Sequence, residues 1–233
     1  MSSTSKTSGT PVVLLHGMAT SAARTWGENG WIDLIQEAGR PVLAIDLLGH
    51  GDADKPHDPE AYEQLEALVA AQLPDEPCDI IGFSLGARTT LALAQENPGR
   101  FRKIVVCGVG ANLFNHDEGR ARAIAKGIAG EPDPEDRTAA YFAQLADSPE
   151  IDRAALAALM RRKRSLPVTI EGLANVTNPV LVVLGDQDFA GPADPLVDAL
   201  PNATFLGLRK ADHFGVVKDF RFIDAALKFV EAV

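Results

Sequence analysis

An α/β fold, with a mostly parallel six-stranded sheet, helices on both faces and one helical insertion, is predicted by three features of the sequence. Six short runs are continuously apolar and rich in β-branched residues, as strands covered on both faces must be; a half-exposed sheet would alternate apolar with polar. Segments of helical period separate these runs, and strands alternating with helices pair in parallel through crossover connections. Between residues 111 and 172 the alternation lapses, and three helical patterns replace the expected strands.

The elements follow in order. Residues 11–15 (PVVLL) form the first strand, which ends in His16-Gly17-Met18. A small polar loop over 19–30 leads to a helix over 31–37, stopped by Gly39. The second strand is 41–46, followed by a loop of glycines, aspartates and prolines over 47–59. A helical pattern over 61–73 places Tyr62, Leu65, Leu68 and Val69 on one face. Residues 78–81 are the third strand, and 88–95 a helix of strong helix formers. The fourth strand is 103–107. Helices are expected over 121–128, 137–146 and 153–164, separated by Pro-Asp and Ser-Pro breaks. A fifth strand at 179–184, a short helix at 196–200, a sixth strand at 204–208 and a closing helix at 220–233 complete the chain. Residues 1–110 and 173–233 therefore form a core, with 111–172 as a helical insertion.

Composition narrows the function. The 233 residues are 46% hydrophobic, enough for one well-buried core, and carry a formal charge of −10, which disfavours nucleic acid and anionic membranes as partners. The polar first ten residues resemble no secretory signal and no apolar run reaches the ~18 residues of a membrane span, so a soluble cytoplasmic protein is expected. Cys78 and Cys107 sit beside or within strand-like runs as buried small side chains in a reducing compartment. No histidine-carboxylate cluster has metal-ligand spacing, and Gly108-Val109-Gly110 lacks the third glycine of a dinucleotide fingerprint; no metal or cofactor is expected.

The chemistry centres on Gly82-Phe83-Ser84-Leu85-Gly86, where a buried strand turns into a helix. Taken alone this suits any glycine-rich corner. Its pattern, though, holds a serine hydroxyl out of the sheet, with the following N–H at a helix start, where negative charge on oxygen is stabilised. Serine needs a base to lose its proton; a neutral imidazole oriented by a carboxylate supplies one. Ligands in parallel sheets gather at the carboxyl ends of the strands, which here bring together Ser84, the Gly185-Asp186-Gln187-Asp188 loop and Asp212-His213. Of the five histidines, His16, His50 and His57 precede the serine and His116 lies in the insertion, whereas His213 follows the last strand, in the serine–acid–histidine order expected of such a serine corner; a lone surface histidine is the plain alternative.

These motifs together, with the His16-Gly17 loop and Asp46-Leu47-Leu48-Gly49-His50-Gly51, make the chain resemble the α/β-hydrolase superfamily over nearly its whole length. The resemblance implies a triad of Ser84, Asp188 and His213, with Asp186 the alternative acid, and an oxyanion hole from the N–H groups of Met18 and Leu85. The chain departs from the family in that only ten polar residues precede its first strand, so a minimal six-stranded sheet without the family's N-terminal hairpin is expected; the serine implies an esterase-like attack where dehalogenase and epoxide hydrolase relatives use aspartate. His16, Gly17, Phe83, Phe114, Phe142, Leu145 and Phe214 are the expected substrate-binding residues. Leu113, Ile124, Ile128, Leu156, Leu159 and Met160 are further candidates for the cap's apolar inner face, and the Asp46 and His50 loop is read as structural. The activity implied is hydrolysis of small carboxylic esters or thioesters; a carbon-carbon bond hydrolase shares the same triad, and a non-catalytic binding module would be expected to lack part of it.

Charge singles out the insertion. Between Gly119 and Pro167 nine basic residues meet seven acidic ones, in an otherwise acidic chain, and Arg161-Arg162-Lys163-Arg164 concentrates them. Such a run is either a solvated helical face or a dock for an acidic partner. Small capped members of the resembled superfamily include esterases acting on the methyl ester of pimeloyl-acyl carrier protein, which makes an acyl carrier protein the partner expected there.

Overall fold

The computed structural model describes residues 9–115 and 117–233, so the stretch before Gly9, including most of the polar N-terminus, and His116 lie outside the described residues. The strands are β1 (Val12–Leu15), β2 (Val42–Ile45), β3 (Cys78–Phe83), β4 (Phe101–Cys107), β5 (Val180–Gly185) and β6 (Ala203–Leu208). They form one sheet in the order β2-β1-β3-β4-β5-β6, parallel at every pairing. The helices are α1 (Trp31–Glu37), α2 (Leu65–Ala70), α3 (Leu85–Glu96), α4 (Glu118–Ala129), α5 (Arg137–Ala146), α6 (Arg153–Arg161), α7 (Ile170–Leu173), α8 (Asp194–Ala199) and α9 (Phe220–Phe229).

Because side chains alternate along a strand, each central strand feeds two cores. Val13, Ile80, Ile104, Val106, Val180 and Val182 pack with Leu65 and Val69 of α2, Leu91 of α3, Leu173 of α7 and Leu196 of α8. Val12, Leu14, Ile81, Val105, Leu181 and Val183 point the other way, onto Trp31 and Ile35 of α1 and Phe222, Ala226 and Leu227 of α9. The helices thus lie on both faces. Helices α4 to α6 close over the carboxyl edge through a third cluster, in which Ile128, Phe142, Ala146 and Leu156 meet Ala19, with Met18, Phe189 and Phe214 packed against it. Side-chain caps from Asp117, Asp136 and Asp152 start these three helices.

Several boundaries differ from the sequence reading. The pattern over 61–73 divides into a 3₁₀ turn, Pro59–Tyr62, and the shorter α2, because Gln64 leaves helical geometry. That break rotates the face: Glu66 is buried and Leu68 is exposed. The small polar loop after β1 contains a π-helical turn, Ala23–Gly27, that buries Trp26 edge-on against Trp31. Helix α6 stops at Arg161, since Arg162 is extended with φ −59° and ψ 146°.

The amino edge of the sheet is held by a buried ion-pair cluster. Asp79, on β3 and fully buried, accepts from Arg40 Nη2 at 2.6 Å and from Arg102 Nη2 and Nε at 2.6 and 2.9 Å. Arg40 also donates to the carbonyls of Thr10 and Val230. One carboxylate therefore ties β3, β4, the approach to β2 and the end of α9.

Candidate active site

The parallel register sets the site. Leu15 pairs with Gly82, Phe83 with Cys107, Cys107 with Val183 and Gly185 with Leu208, so the loops leaving β1, β3, β5 and β6 emerge along one edge. Ser84 lies at the corner between β3 and α3 with φ 53° and ψ −107°, a strained conformation for a residue with a side chain. Its N–H donates to Cys107 O at 2.8 Å, and the Gly86 N–H donates to His16 O at 3.0 Å, which ties the corner to two neighbouring strands. Gly86 is required by this closeness: a Cβ there would lie 2.2 Å from Leu15 O.

Three predicted residues come together. His213 Nε2 is 2.9 Å from Ser84 Oγ, and its Nδ1 is 2.9 and 3.0 Å from the two Asp188 carboxylate oxygens. A neutral imidazole that donates from Nδ1 to Asp188 accepts at Nε2 from the Ser84 hydroxyl, which is the arrangement a general base needs. Asp188 is further fixed by the Ala190 N–H, 2.8 Å from Oδ1. Asp186 is exposed and accepts from the Lys210 N–H, so Asp188 is the acid that faces His213. His213 is buried between Phe189 and Phe83, with ring centroids 4.3 and 5.1 Å away. Among the described residues, neither the Met18 nor the Leu85 N–H donates a backbone hydrogen bond, and Leu85 begins the twelve-residue α3, whose dipole favours negative charge at that end.

Two lobes of a cavity meet at Ser84, and Met18, Ser84 and Phe142 line both. The smaller, about 120 Å³, also has His213, Phe83, Tyr141, Leu145 and Phe214 in its wall. The larger, about 450 Å³, has Leu85, Val109, Ile124, Leu159, Met160 and Phe189, together with Arg88, Arg162 and Arg164. Phe83, Phe142, Leu145 and Phe214 are therefore on cavity walls.

Three other residues expected to bind substrate are placed elsewhere. His16 is fully buried: its Nδ1 donates to Gly17 O at 2.7 Å and its Nε2 accepts from the Leu47 N–H at 3.0 Å. Gly17 underlies the site, since a Cβ there would press to 2.9 Å of the Phe83 ring. Phe114 packs with the sheet core. These three position the loops and do not line the cavity. Arg88, Tyr141 and Phe189, by contrast, carry no site role in the sequence reading, and Arg162, expected there only as part of a partner dock, lines the larger lobe. Arg88 and Phe189 follow directly on the serine turn and the acid loop, which is the signal that marks them.

The Asp46 loop is structural. Its carboxylate accepts from the N–H groups of Ala22 and Asp52, and His50 stands edge-on to His16 with centroids 5.1 Å apart. Burial, and then the neighbouring His16, lower the pKa of His50 to about 3, and burial likewise lowers that of His16. The unfolded chain, with a histidine near 6.5, therefore takes up a proton that the folded chain refuses. Stability is complete above pH ~6.5 and declines as pH falls towards ~3, by about 2 kcal/mol at pH ~5 for His50 alone. Urea unfolding at pH ~7 and ~5 should show this loss, and a His50→Asn variant should show a smaller one; equal losses would place the acid sensitivity elsewhere.

A 108-residue stretch is 40% identical to a pimeloyl-acyl-carrier protein methyl ester esterase of Neisseria meningitidis, covering 44% of this chain and 31% of that protein. The chain thus matches about a third of the length of that relative. A 2-hydroxy-6-oxononadienedioate/2-hydroxy-6-oxononatrienedioate hydrolase of Cupriavidus pinatubonensis is 26% identical over 231 residues, covering 87% of this chain and 80% of the relative. An esterase structure from Exiguobacterium antarcticum superposes with a TM-score of 0.75 at 17% identity, over 96% of this chain and 92% of that one, and shares the fold. The family model described as the alpha/beta hydrolase family runs from residue 12 to residue 230, from the first residue of β1 to just beyond α9, and to this family the chain belongs.

Proposed function

We propose that the chain is a serine hydrolase of carboxylic esters acting through an acyl-enzyme. Ser84 Oγ attacks the ester carbonyl as its proton passes to His213 Nε2, and Asp188 holds the imidazole in the receptive tautomer and stabilises the imidazolium. The N–H groups of Met18 and Leu85 receive the oxyanion, each such donor being worth about 2.7 to 4 kcal/mol in other hydrolases. His213 returns the proton to the alkoxide or thiolate, which departs. A water, deprotonated by the same imidazole, then attacks the acyl-enzyme and releases the acid and Ser84. Residues 111–172 act as the cap, with Phe142 and Leu145 shaping the site. The observation that carries this reading is the unbroken chain Ser84–His213–Asp188, each link 2.9 Å, at the point where two cavity lobes meet.

A p-nitrophenyl and thioester series of increasing acyl length tests it, with a phosphonate label mapped to Ser84. Asp188→Asn should lower kcat about 10⁴-fold and Asp186→Asn less than ~3-fold. A folded wild-type protein that turns over none of these esters would overturn the reading.

The relative spanning most of the chain favours a second one, in which the same triad cleaves a carbon-carbon bond of a dienoate. Turnover of such a dienoate in preference to every ester would move the assignment there. An acyl carrier protein remains the macromolecular partner we propose for the exposed Arg161, Lys163 and Arg164, supported by the esterase relative of Neisseria meningitidis. The two buried free cysteines fit a reducing, cytoplasmic setting.

A further inference from the structure

The larger lobe carries a feature that the triad chemistry does not use. Between its apolar walls stand three guanidinium groups, those of Arg88, Arg162 and Arg164. Arg88 projects from α3 four residues past Ser84, ~6 Å along the helix axis, and its Nη2 donates to Asn112 O at 3.1 Å. Arg162 is turned inward by the extended backbone after α6, with Nη1 donating to Leu159 O at 3.1 Å. Its Nε and Nη2 are buried with no hydrogen-bond partner among the described residues. Arg164 reaches the same lobe from the surface.

Compensation for this charge is incomplete. Glu66 of α2 is the acidic group that favours the charged form of both Arg88 and Arg162; it is buried, and its own Oε2 has no hydrogen-bond partner. Three cations thus face one carboxylate. Burial first, then repulsion from Arg164, bring Arg88 and Arg162 down to about 10, so both stay charged at neutral pH. A lobe meant for a neutral acyl chain would gain nothing from this cluster and would pay its desolvation.

The lobe's place in the reaction gives the ligand its orientation. On the ester-hydrolase reading, the leaving group must take its proton from His213, which lines the smaller lobe and not the larger. The acyl part therefore occupies the larger lobe, along Val109, Ile124, Leu159 and Met160, towards the arginines. We propose that the acyl chain of the substrate ends in an anionic group, a carboxylate or a phosphate, seated against Arg162 with Arg88 and Arg164 beside it. The cluster attracts the anion and rejects a neutral chain of equal length, which would leave the cations unpaired.

Calorimetric titration of the Ser84→Ala variant tests this without any bond being broken, so the result is independent of whether the wild type hydrolyses esters. The probes are monomethyl glutarate and monomethyl adipate, their dimethyl counterparts, and a methyl ester of similar length ending in phosphate. One of the anions should bind at least ~10-fold more tightly than its neutral counterpart, with the advantage shrinking as salt is raised. The tighter of carboxylate and phosphate names the terminal group. In the Ser84→Ala background, Arg162→Gln should bring the ratio of charged to neutral affinity close to one, and Arg162→Lys should restore part of it. Arg164→Gln, at an exposed position, should lower the ratio too and guards against misfolding in the first variant. Equal affinity for charged and neutral probes, or a ratio unchanged in both glutamine variants, would overturn the proposal.

Discussion

Ser84→Ala should reduce kcat for ester hydrolysis by at least ~10³-fold, and by as much as ~10⁶-fold if the acyl-enzyme route carries all the turnover. The change removes the hydroxyl that sits 2.9 Å from His213 Nε2 and leaves the backbone corner to be held by the bonds at Ser84 N and Gly86 N. KM should change little, because the cavity walls and the two N–H groups at Met18 and Leu85 are untouched. Stability should stay within ~0.5 kcal/mol, since alanine inherits the positive φ that serine already tolerates and loses one half-buried hydroxyl. Combining Ser84→Ala with His213→Ala should cost little more than either alone, because members of a catalytic unit are not additive. Steady-state rates corrected for contaminating activity measure this. Turnover above about a tenth of wild type would remove Ser84 from the mechanism.

Asp79→Ala should destabilise the fold by about 3 to 5 kcal/mol, a large share of the ~5 to 15 kcal/mol that holds a typical domain together. The reason is the partner left behind: Arg40 is buried, and its charge would face Val230 and Thr10 carbonyls with no carboxylate opposite. Arg102 is the lesser partner because it is partly exposed and also pairs with Glu231, so Arg102→Ala should cost markedly less. Pairing Asp79→Leu with Arg40→Met should recover much of the loss, as apolar replacements of buried ion pairs do. Chemical denaturation of the three variants gives the comparison. Because the cluster lies at the amino edge of the sheet, kcat in the folded Asp79→Ala protein should remain near wild type. A loss below ~1 kcal/mol would mean that solvent reaches Arg40.

An inner strand such as β1 was legible because burial on both faces leaves a run such as PVVLL no room for a polar residue, whereas the edge strands β2 and β6 keep an apolar run although they are partly exposed. The serine corner was legible as a residue pattern at a strand terminus, whereas the preference for Asp188 over Asp186 rested on the resemblance to the family, since both carboxylates lie in the same loop. The helix over 61–73 was misjudged because Gln64 breaks it by backbone geometry, which residue type hardly encodes, and Glu66 goes inward as a result. His16 was expected at the cavity from the His-Gly motif of the resembled family and Phe114 from its apolar side chain in the insertion, whereas hydrogen bonds to Gly17 and Leu47 hold the first away from it and core packing the second. The division of Arg161-Arg162-Lys163-Arg164 into outward and inward members depends on one extended residue after a helix end. A run of like charges carries no periodicity from which to read that.

On the proposed two-step route, the small lobe beside His213, about 120 Å³, also bears on what can replace water in the second half of the reaction. Once the first alcohol has left, whichever nucleophile fits that space and can hand its proton to Nε2 inherits the acyl group. On the proposed acyl-enzyme route a short alcohol that reaches His213 Nε2 would compete with water for the acyl group, and the ratio of new ester to acid would report the shape of that chamber.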